Sequence, residues 1–214
     1  MTDRILPLTA PQVMALAPVV PVLVIDRLQD AVPLARALTE GGLYAIEVTL
    51  RTPAALEAIA AIAAEVPDAV VGAGTVLNAR QYQDATRAGA RFIVSPGLTD
   101  GVIAAAAGSD VPLLAGTASA SDIMRGLEAG LTHFKFFPAE TSGGAAAIKA
   151  LGGPFVDVKF CPTGGINLKS APDYLALANV LCVGGGWVAP ADAIKGGDWT
   201  RITGLAREAA ALKR

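Results

Sequence analysis

The sequence predicts an α/β fold, a (β/α)8 TIM barrel with an extra N-terminal helix, and three observations carry that prediction. Short β-rich runs alternate with alanine- and leucine-rich stretches of helical character along almost the whole chain. Successive runs lie roughly 20 to 26 residues apart, so eight units fit a compact barrel better than the alternative, a doubly wound sheet. The 214 residues are 53% hydrophobic and only 17% charged, which supplies one sizeable core and is too apolar for a disordered chain. Residues 1–214 are therefore expected to form a single barrel domain, with no linker or low-complexity tract between halves.

Taken in order, the elements begin with a leading helix near residues 9–16 and a first strand over Val19–Ile25. A helix over Asp30–Thr39 returns the chain to a second strand, Ala45–Leu50. The next helix, Pro53–Ala64, opens with Thr52 as its N-cap and Pro53 at the first helical position, where a missing N–H costs no hydrogen bond. The remaining strands are expected over Ala69–Gly74, Phe92–Ser95, Val111–Leu114, His133–Phe137, Val156–Cys161 and Val180–Val183.

Composition removes several function classes. With 17 basic and 19 acidic side chains, a net charge of -2 and no block of either sign, neither a nucleic-acid nor a membrane partner is expected. The single histidine, His133, and two cysteines without CxxC spacing, Cys161 and Cys182, cannot build a zinc cage, and no acidic loop of calcium-binding pattern occurs, so no metal is expected. Asp3 and the prolines at 7, 11, 18 and 21 interrupt any signal-peptide core, and no apolar run reaches the roughly 18 residues of a membrane span. A cytoplasmic protein follows as the expectation.

Strands covered on both faces are almost wholly apolar, so each charge inside one needs a reason. Of six lysines only Lys135 and Lys159 fall in strands, and of seven glutamates only Glu47 does. Period-two alternation turns Ile46, Val48 and Leu50 toward the helices and Glu47, Thr49 and Arg51 toward the barrel axis, with Arg51 at the carboxyl-end mouth. The same rule sends Phe134 and Phe136 outward and His133, Lys135 and Phe137 inward. Lys159 precedes Thr163 by about 13 Å of extended chain and Lys135 precedes Pro138 by about 10 Å. Asp157 offers Lys159 a partner at the closed end of the barrel, leaving Lys135 to share the interior with Glu47.

An apolar surround and a nearby cation both disfavour the ammonium form of a buried amine, and a neutral amine condenses with a ketone to give a Schiff base. Glu47 in the same pocket could move protons, and Phe137 would help exclude water. A lysine and a carboxylate suffice for aldol cleavage without metal or cofactor. Thr163, Gly164 and Gly165 are placed at the end of strand seven and Gly184, Gly185 and Gly186 after strand eight, positions from which barrel loops commonly bind phosphate through backbone N–H groups. The Val71–Thr75 segment is a third glycine-rich stretch, for which close packing of strand and loop is the competing reading.

These residues lie in motifs that resemble the 2-keto-3-deoxy-6-phosphogluconate aldolase family, which includes 4-hydroxy-2-oxoglutarate aldolase activity. The motifs are Glu-Val-Thr-Leu-Arg at 47–51, Val-Gly-Ala-Gly-Thr-Val-Leu-Asn at 71–78, Ser-Pro-Gly at 95–97, Phe-Lys-Phe-Phe-Pro-Ala-Glu at 134–140 and Phe-Cys-Pro-Thr-Gly-Gly-Ile at 160–166. They run in that order from about Pro18 to the carboxyl terminus. The resemblance implies Lys135 as the Schiff-base former and Glu47 as general acid and base. It implies Arg51 and Thr75 at the carboxylate end of pyruvate, Pro96, Phe137 and Thr163 lining the pocket, and a phosphorylated 2-keto-3-deoxy sugar acid as the small-molecule substrate. It further implies a (β/α)8 barrel, a homotrimer and no metal.

Two positions depart from the family pattern. Gly186 stands where the family usually has a serine that contacts substrate phosphate, which leaves the backbone donors of Gly164, Gly165, Gly185 and Gly186 and removes one hydrogen bond worth roughly 1.5–3 kcal/mol. Ala115 precedes Gly116 where the family more often has proline, a change expected to bear on the pocket wall. Two alternatives to phosphogluconate cleavage stay open: cleavage of unphosphorylated 4-hydroxy-2-oxoglutarate to pyruvate and glyoxylate, and a non-catalytic phosphosugar or keto-acid binding barrel in which Glu47 and Lys135 form only a buried ion pair. His133 is read as a lower-layer barrel residue, Cys161 and Cys182 as buried thiols, and Trp187 and Trp199 as packing or subunit-contact residues.

Overall fold

A computed structural model describes residues 7–213; Asp3 lies outside them. Among the described residues the chain runs α1 (Ala10–Ala15), β1 (Val19–Leu23), α2 (Ala31–Glu40), β2 (Ala45–Thr49), α3 (Ala55–Glu65), β3 (Val70–Gly74), α4 (Ala79–Arg87) and β4 (Ile93–Val94). It continues through α5 (Asp100–Ala107), β5 (Leu113–Thr117), α6 (Ala120–Glu128), β6 (His133–Phe136), α7 (Gly144–Leu151) and β7 (Lys159–Pro162). The last elements are α8 (Ala171–Leu175), β8 (Val183–Gly185), α9 (Ala191–Gly196) and α10 (Trp199–Ala210). The strands are parallel in the order β7-β6-β5-β4-β3-β2-β1-β8, and the parallel bridges Phe160–Val180 and Thr163–Gly184 bring β7 to the β8 segment. The result is a nearly closed (β/α)8 barrel.

Alternation along the strands separates two apolar clusters. Val19, Leu23, Ile46, Val48, Val71, Phe134, Phe136 and Phe160 face outward and pack with helix residues such as Leu34, Ile59, Ile123 and Ile202. Val20, Ala45, Val70, Phe92, Val94, Leu114 and Cys161 face the axis and meet Val13 and Met14 of α1, which plugs the amino end of the barrel. Full burial of each large aliphatic or aromatic side chain contributes about 1.5–3 kcal/mol, so the outer cluster carries most of the stability. Below Glu47 and Lys135 the interior is thus filled largely by apolar side chains.

Several boundaries differ from the sequence expectation. Strands five, seven and eight begin later than expected, at Leu113, Lys159 and Val183, and run on into Thr117, Pro162 and Gly185. The apolar residues ahead of β5 and β7 belong to turns and loops, Val156, for example, being exposed, while Val180 ahead of β8 keeps an isolated bridge to Phe160. Gly184 and Gly185 therefore lie within β8 rather than after it. Thr52 does not cap α3, which starts after Ala54; its hydroxyl donates instead to the Ile25 carbonyl at 2.6 Å, tying the mouth of β2 to that of β1. Ala115 is fully buried in the outer cluster, so the residue expected to bear on the pocket wall faces the helices.

Candidate active site

Glu47 enters the interior because its neighbours Ile46 and Val48 take the helix-facing positions of β2, and Lys135 does so between Phe134 and Phe136 of β6. The two strands are separated by β3, β4 and β5, so the side chains approach across the barrel, where Lys135 Nζ lies 3.5 Å from Glu47 Oε1. Both residues are almost wholly buried, at 4% and 3% exposure. The ammonium position also lies 4.9 Å from the centroid of the Phe137 ring, whose face favours a cation. Gly74 makes room for the acid: a Cβ there would overlap the Glu47 carboxylate.

Above this pair the strands open into polar loops. Arg51 is exposed beyond the end of β2 and its Nε donates to Thr75 Oγ1 at 3.2 Å. Thr75 has φ 58°, a left-handed conformation that a β-branched residue adopts at a cost of about 1–3 kcal/mol. That strain turns the chain at the end of β3. Thr49, also expected to face the axis, spends its hydroxyl on the Leu23 carbonyl at 2.8 Å and acts as a strand tie.

On the opposite wall the rims of β5, β6 and β7 are joined by main-chain bonds. Phe137 N–H donates to Thr117, Thr163 N–H to Phe136, and Ala139 N–H to Thr163, at 3.1, 2.9 and 2.8 Å. Thr163 is buried against Gly184, and Phe137 touches the α-carbon side of Gly164. Pro96, half-buried, lies against Gly116 on β5, a position closed to any side chain by the Pro96 backbone. Gly164 and Gly165 have φ of 106° and 82°, and Gly165 is exposed at the rim.

The glycines of β8 separate from one another. Gly185 lies under the Trp187 ring, which occupies the space its side chain would need. Gly186 is exposed and lines a cavity of about 530 Å³ together with Val22, Val24, Arg27 and Lys195. Within the Val71–Thr75 segment, Gly72 yields to the Phe92 ring and Gly74 to Glu47, which matches the packing reading of that stretch.

The family model described as "Aldolase: KDPG and KHG aldolase" matches residues 11–205. The chain belongs to the KDPG and KHG aldolase family. The chain is 55% identical over 203 residues to the 2-dehydro-3-deoxy-phosphogluconate aldolase of Dickeya dadantii, covering 95% of both chains. It is 54% identical over 201 residues to the KHG/KDPG aldolase of Escherichia coli (strain K12), covering 94% of both. Among solved structures it resembles the KDPG aldolase of Legionella pneumophila with pyruvate captured as a covalent carbinolamine (TM-score 0.92, 49% identity, 94% of this chain and 98% of that one). It also resembles the Zymomonas mobilis ZM4 aldolase with 3-phosphoglycerate (TM-score 0.90, 55% identity, 94% and 95%).

Within this family framework, Lys159 and His133 fall one layer below the site. Register pairs His133 with Lys159 and Lys135 with Cys161, so Lys159 is two residues deeper than Lys135. The ion pair expected between Lys159 and Asp157 is not formed: Asp157 is exposed in the turn before β7, and Lys159 Nζ donates to the Ala178 carbonyl at 3.1 Å. Burial, with repulsion from Lys159, holds the His133 imidazole below its ordinary pKa. Sequence reasoning missed a further rim contact, the Tyr174 hydroxyl donating to Glu140 Oε1 at 2.8 Å. No local pattern signals it, because the partners are 34 residues apart on different elements.

Proposed function

We propose that this chain is a class I aldolase that reversibly cleaves 2-dehydro-3-deoxy-6-phosphogluconate to pyruvate and glyceraldehyde 3-phosphate. The observation that carries the proposal is the Lys135–Glu47 pair, an amine and a carboxylate 3.5 Å apart that meet across the barrel and are both almost wholly buried. Names of relatives at 54–57% identity support the substrate.

The Lys135 amine, having given a proton to Glu47, attacks the C2 ketone; the carbinolamine hydroxyl takes that proton back from Glu47 and leaves as water, so a protonated imine faces an ionised carboxylate. This cation lies against the Phe137 ring face, a contact worth about 0.5–2 kcal/mol. Glu47, directly or through one water, removes the C4 hydroxyl proton. The C3–C4 bond then breaks, its electrons pass into the imine, and the aldehyde leaves a pyruvate enamine. Glu47 returns the proton to C3, and water hydrolyses the second imine to free pyruvate and Lys135. Arg51, oriented by Thr75, takes the C1 carboxylate; Pro96, Phe137 and Thr163 line the pocket. The backbone N–H groups of Gly164, Gly165, Gly185 and Gly186 take the phosphate. The proposal includes a homotrimer, no metal or cofactor, and a cytoplasmic role in the Entner-Doudoroff pathway. Trapping with pyruvate and borohydride followed by peptide mass spectrometry is expected to find the adduct on Lys135; an adduct on Lys159, or none, overturns the assignment.

Gly186 favours a second reading within the same chemistry. With no side chain at this position to hold a phosphate, unphosphorylated 4-hydroxy-2-oxoglutarate would be cleaved to pyruvate and glyoxylate at a comparable rate. Initial rates on the two substrates separate the readings.

A further inference from the structure

Tyr174 and Glu140 form a rim contact that the mechanism above leaves unused. Glu140 follows Lys135 by five residues, and its N–H donates to the Gly164 carbonyl at 3.1 Å, stitching the turn after β6 to the loop after β7. Its side chain lies along Gly165: a Cβ on that glycine would come within 2.8 Å of Glu140 Cβ and 2.5 Å of Cγ. The Glu140 side chain therefore passes the loop assigned above to a phosphate dianion with Cβ and Cγ nearest it and the carboxyl carbon farther off, 3.9 Å from the same point. A freely turning acid there would repel that dianion, since like charges a few ångströms apart at a protein surface interact appreciably.

Tyr174 prevents that rotation. Its ring is 2% exposed, its hydroxyl donates to Glu140 Oε1 at 2.8 Å, and the same hydroxyl lies under the Gly143–Gly144 turn that starts α7. Burial and the neighbouring Glu140 raise the phenol's pKa, so it remains a donor throughout the neutral range. We propose that Tyr174 is a positioning residue for substrate choice, pinning the Glu140 carboxylate away from the Gly164–Gly165 loop so that this loop accepts a phosphorylated aldehyde end. The inference rests on the assignment of that loop to phosphate.

The test compares wild type, Tyr174→Phe and the double variant Tyr174→Phe with Glu140→Gln. Steady-state constants are measured on 2-dehydro-3-deoxy-6-phosphogluconate and on 4-hydroxy-2-oxoglutarate, beside the dissociation constants of glycerol 3-phosphate and glycerol. Tyr174→Phe is expected to raise KM for the phosphorylated substrate, and Kd for glycerol 3-phosphate, by about tenfold, the equivalent of about 1.4 kcal/mol. Constants for the unphosphorylated substrate and the yield of the pyruvate adduct stay within about twofold, and removing the charge in the double variant restores wild-type values. Equal loss on both substrates, no loss, or failure of the rescue overturns the proposal. Glu140→Asp, which draws the carboxylate off Tyr174 without touching the buried ring, gives the same selective rise and serves if Tyr174→Phe melts early; a uniform effect there also overturns it. A wild type that binds glycerol 3-phosphate no better than glycerol defeats this inference, while borohydride trapping at Lys135 still decides the aldolase reading independently.

Discussion

The α-carbon of Gly74 is packed against the carboxylate of Glu47, so the position of the interior acid is set by an absent side chain on the neighbouring strand. Gly74→Ala would push the carboxylate away from Lys135, with little room to yield in a filled barrel. General acid–base catalysis is worth about 10²–10⁴ in rate, so kcat is expected to fall on the order of a hundredfold. Overpacking should cost about 1–3 kcal/mol of stability. Comparison of kcat with the melting temperature checks this: full activity in the alanine variant would mean that the carboxylate position is not critical.

Lys135 and Lys159 are distinguished by height in the barrel, and substitution should separate them. Lys135→Met is expected to abolish cleavage and borohydride trapping while keto-acid binding persists. Lys159→Met removes only a lysine that donates to the Ala178 carbonyl, and should retain kcat within about threefold. Isothermal titration with pyruvate beside the kinetic assay reads both. Loss of turnover in Lys159→Met with cleavage intact in Lys135→Met would reverse the assignment.

Thr75 holds a strained backbone and accepts a hydrogen bond from Arg51. Thr75→Gly relieves about 1–3 kcal/mol of strain and gives back up to about 1 kcal/mol through the freer unfolded chain. The melting temperature should hold or rise by about 2–4 °C. Arg51 loses its anchor, so KM for pyruvate in the aldol-addition direction should rise on the order of tenfold. A variant that melts well below wild type, or binds pyruvate equally well, contradicts this account of the turn.

Gly186→Ser offers the complementary gain. The position is exposed, and an added Cβ meets only the Val22 carbonyl, at 3.3 Å, so a serine requires a shift of a few tenths of an ångström. A hydroxyl bonded to phosphate contributes about 1.5–3 kcal/mol, which predicts at least a tenfold fall in KM for the phosphorylated substrate and none for 4-hydroxy-2-oxoglutarate. An equal change for both would place the phosphate elsewhere.

The interior face was legible in the sequence because period two leaves no choice for Glu47 and Lys135 once Ile46, Val48, Phe134 and Phe136 are assigned to the helices. The depth of Lys159 was also legible, but its partner was not: Asp157 precedes the strand, and the accepting group is a main-chain carbonyl that no side-chain pattern reveals. Hydrophobicity misplaced the starts of β5, β7 and β8, since loops lying over a core are apolar as well and the ladders end in glycine, threonine and proline. The φ of Thr75 and the Tyr174–Glu140 bond depend on tertiary placement, which local propensity does not encode.

His133 supplies a pH readout of the lower barrel, because it is the single histidine in the sequence and gives one resolvable imidazole signal. Burial, then the charge of Lys159, depresses its folded pKa below the ordinary 6.5. The unfolded chain therefore takes up the proton first as pH falls. This contribution to stability is fully present above the unfolded pKa and is lost as pH drops from about 6.5 through the folded value. Titration by NMR should give a midpoint below 6.5, and Lys159→Met should raise it without restoring it fully, because burial is the larger cause. Replacing His133 by Gln should flatten the acid-side fall of melting temperature between pH 7 and 5 relative to wild type. A midpoint at or above 6.5, or one indifferent to Lys159, would show that burial and the charge of Lys159 do not act on this imidazole.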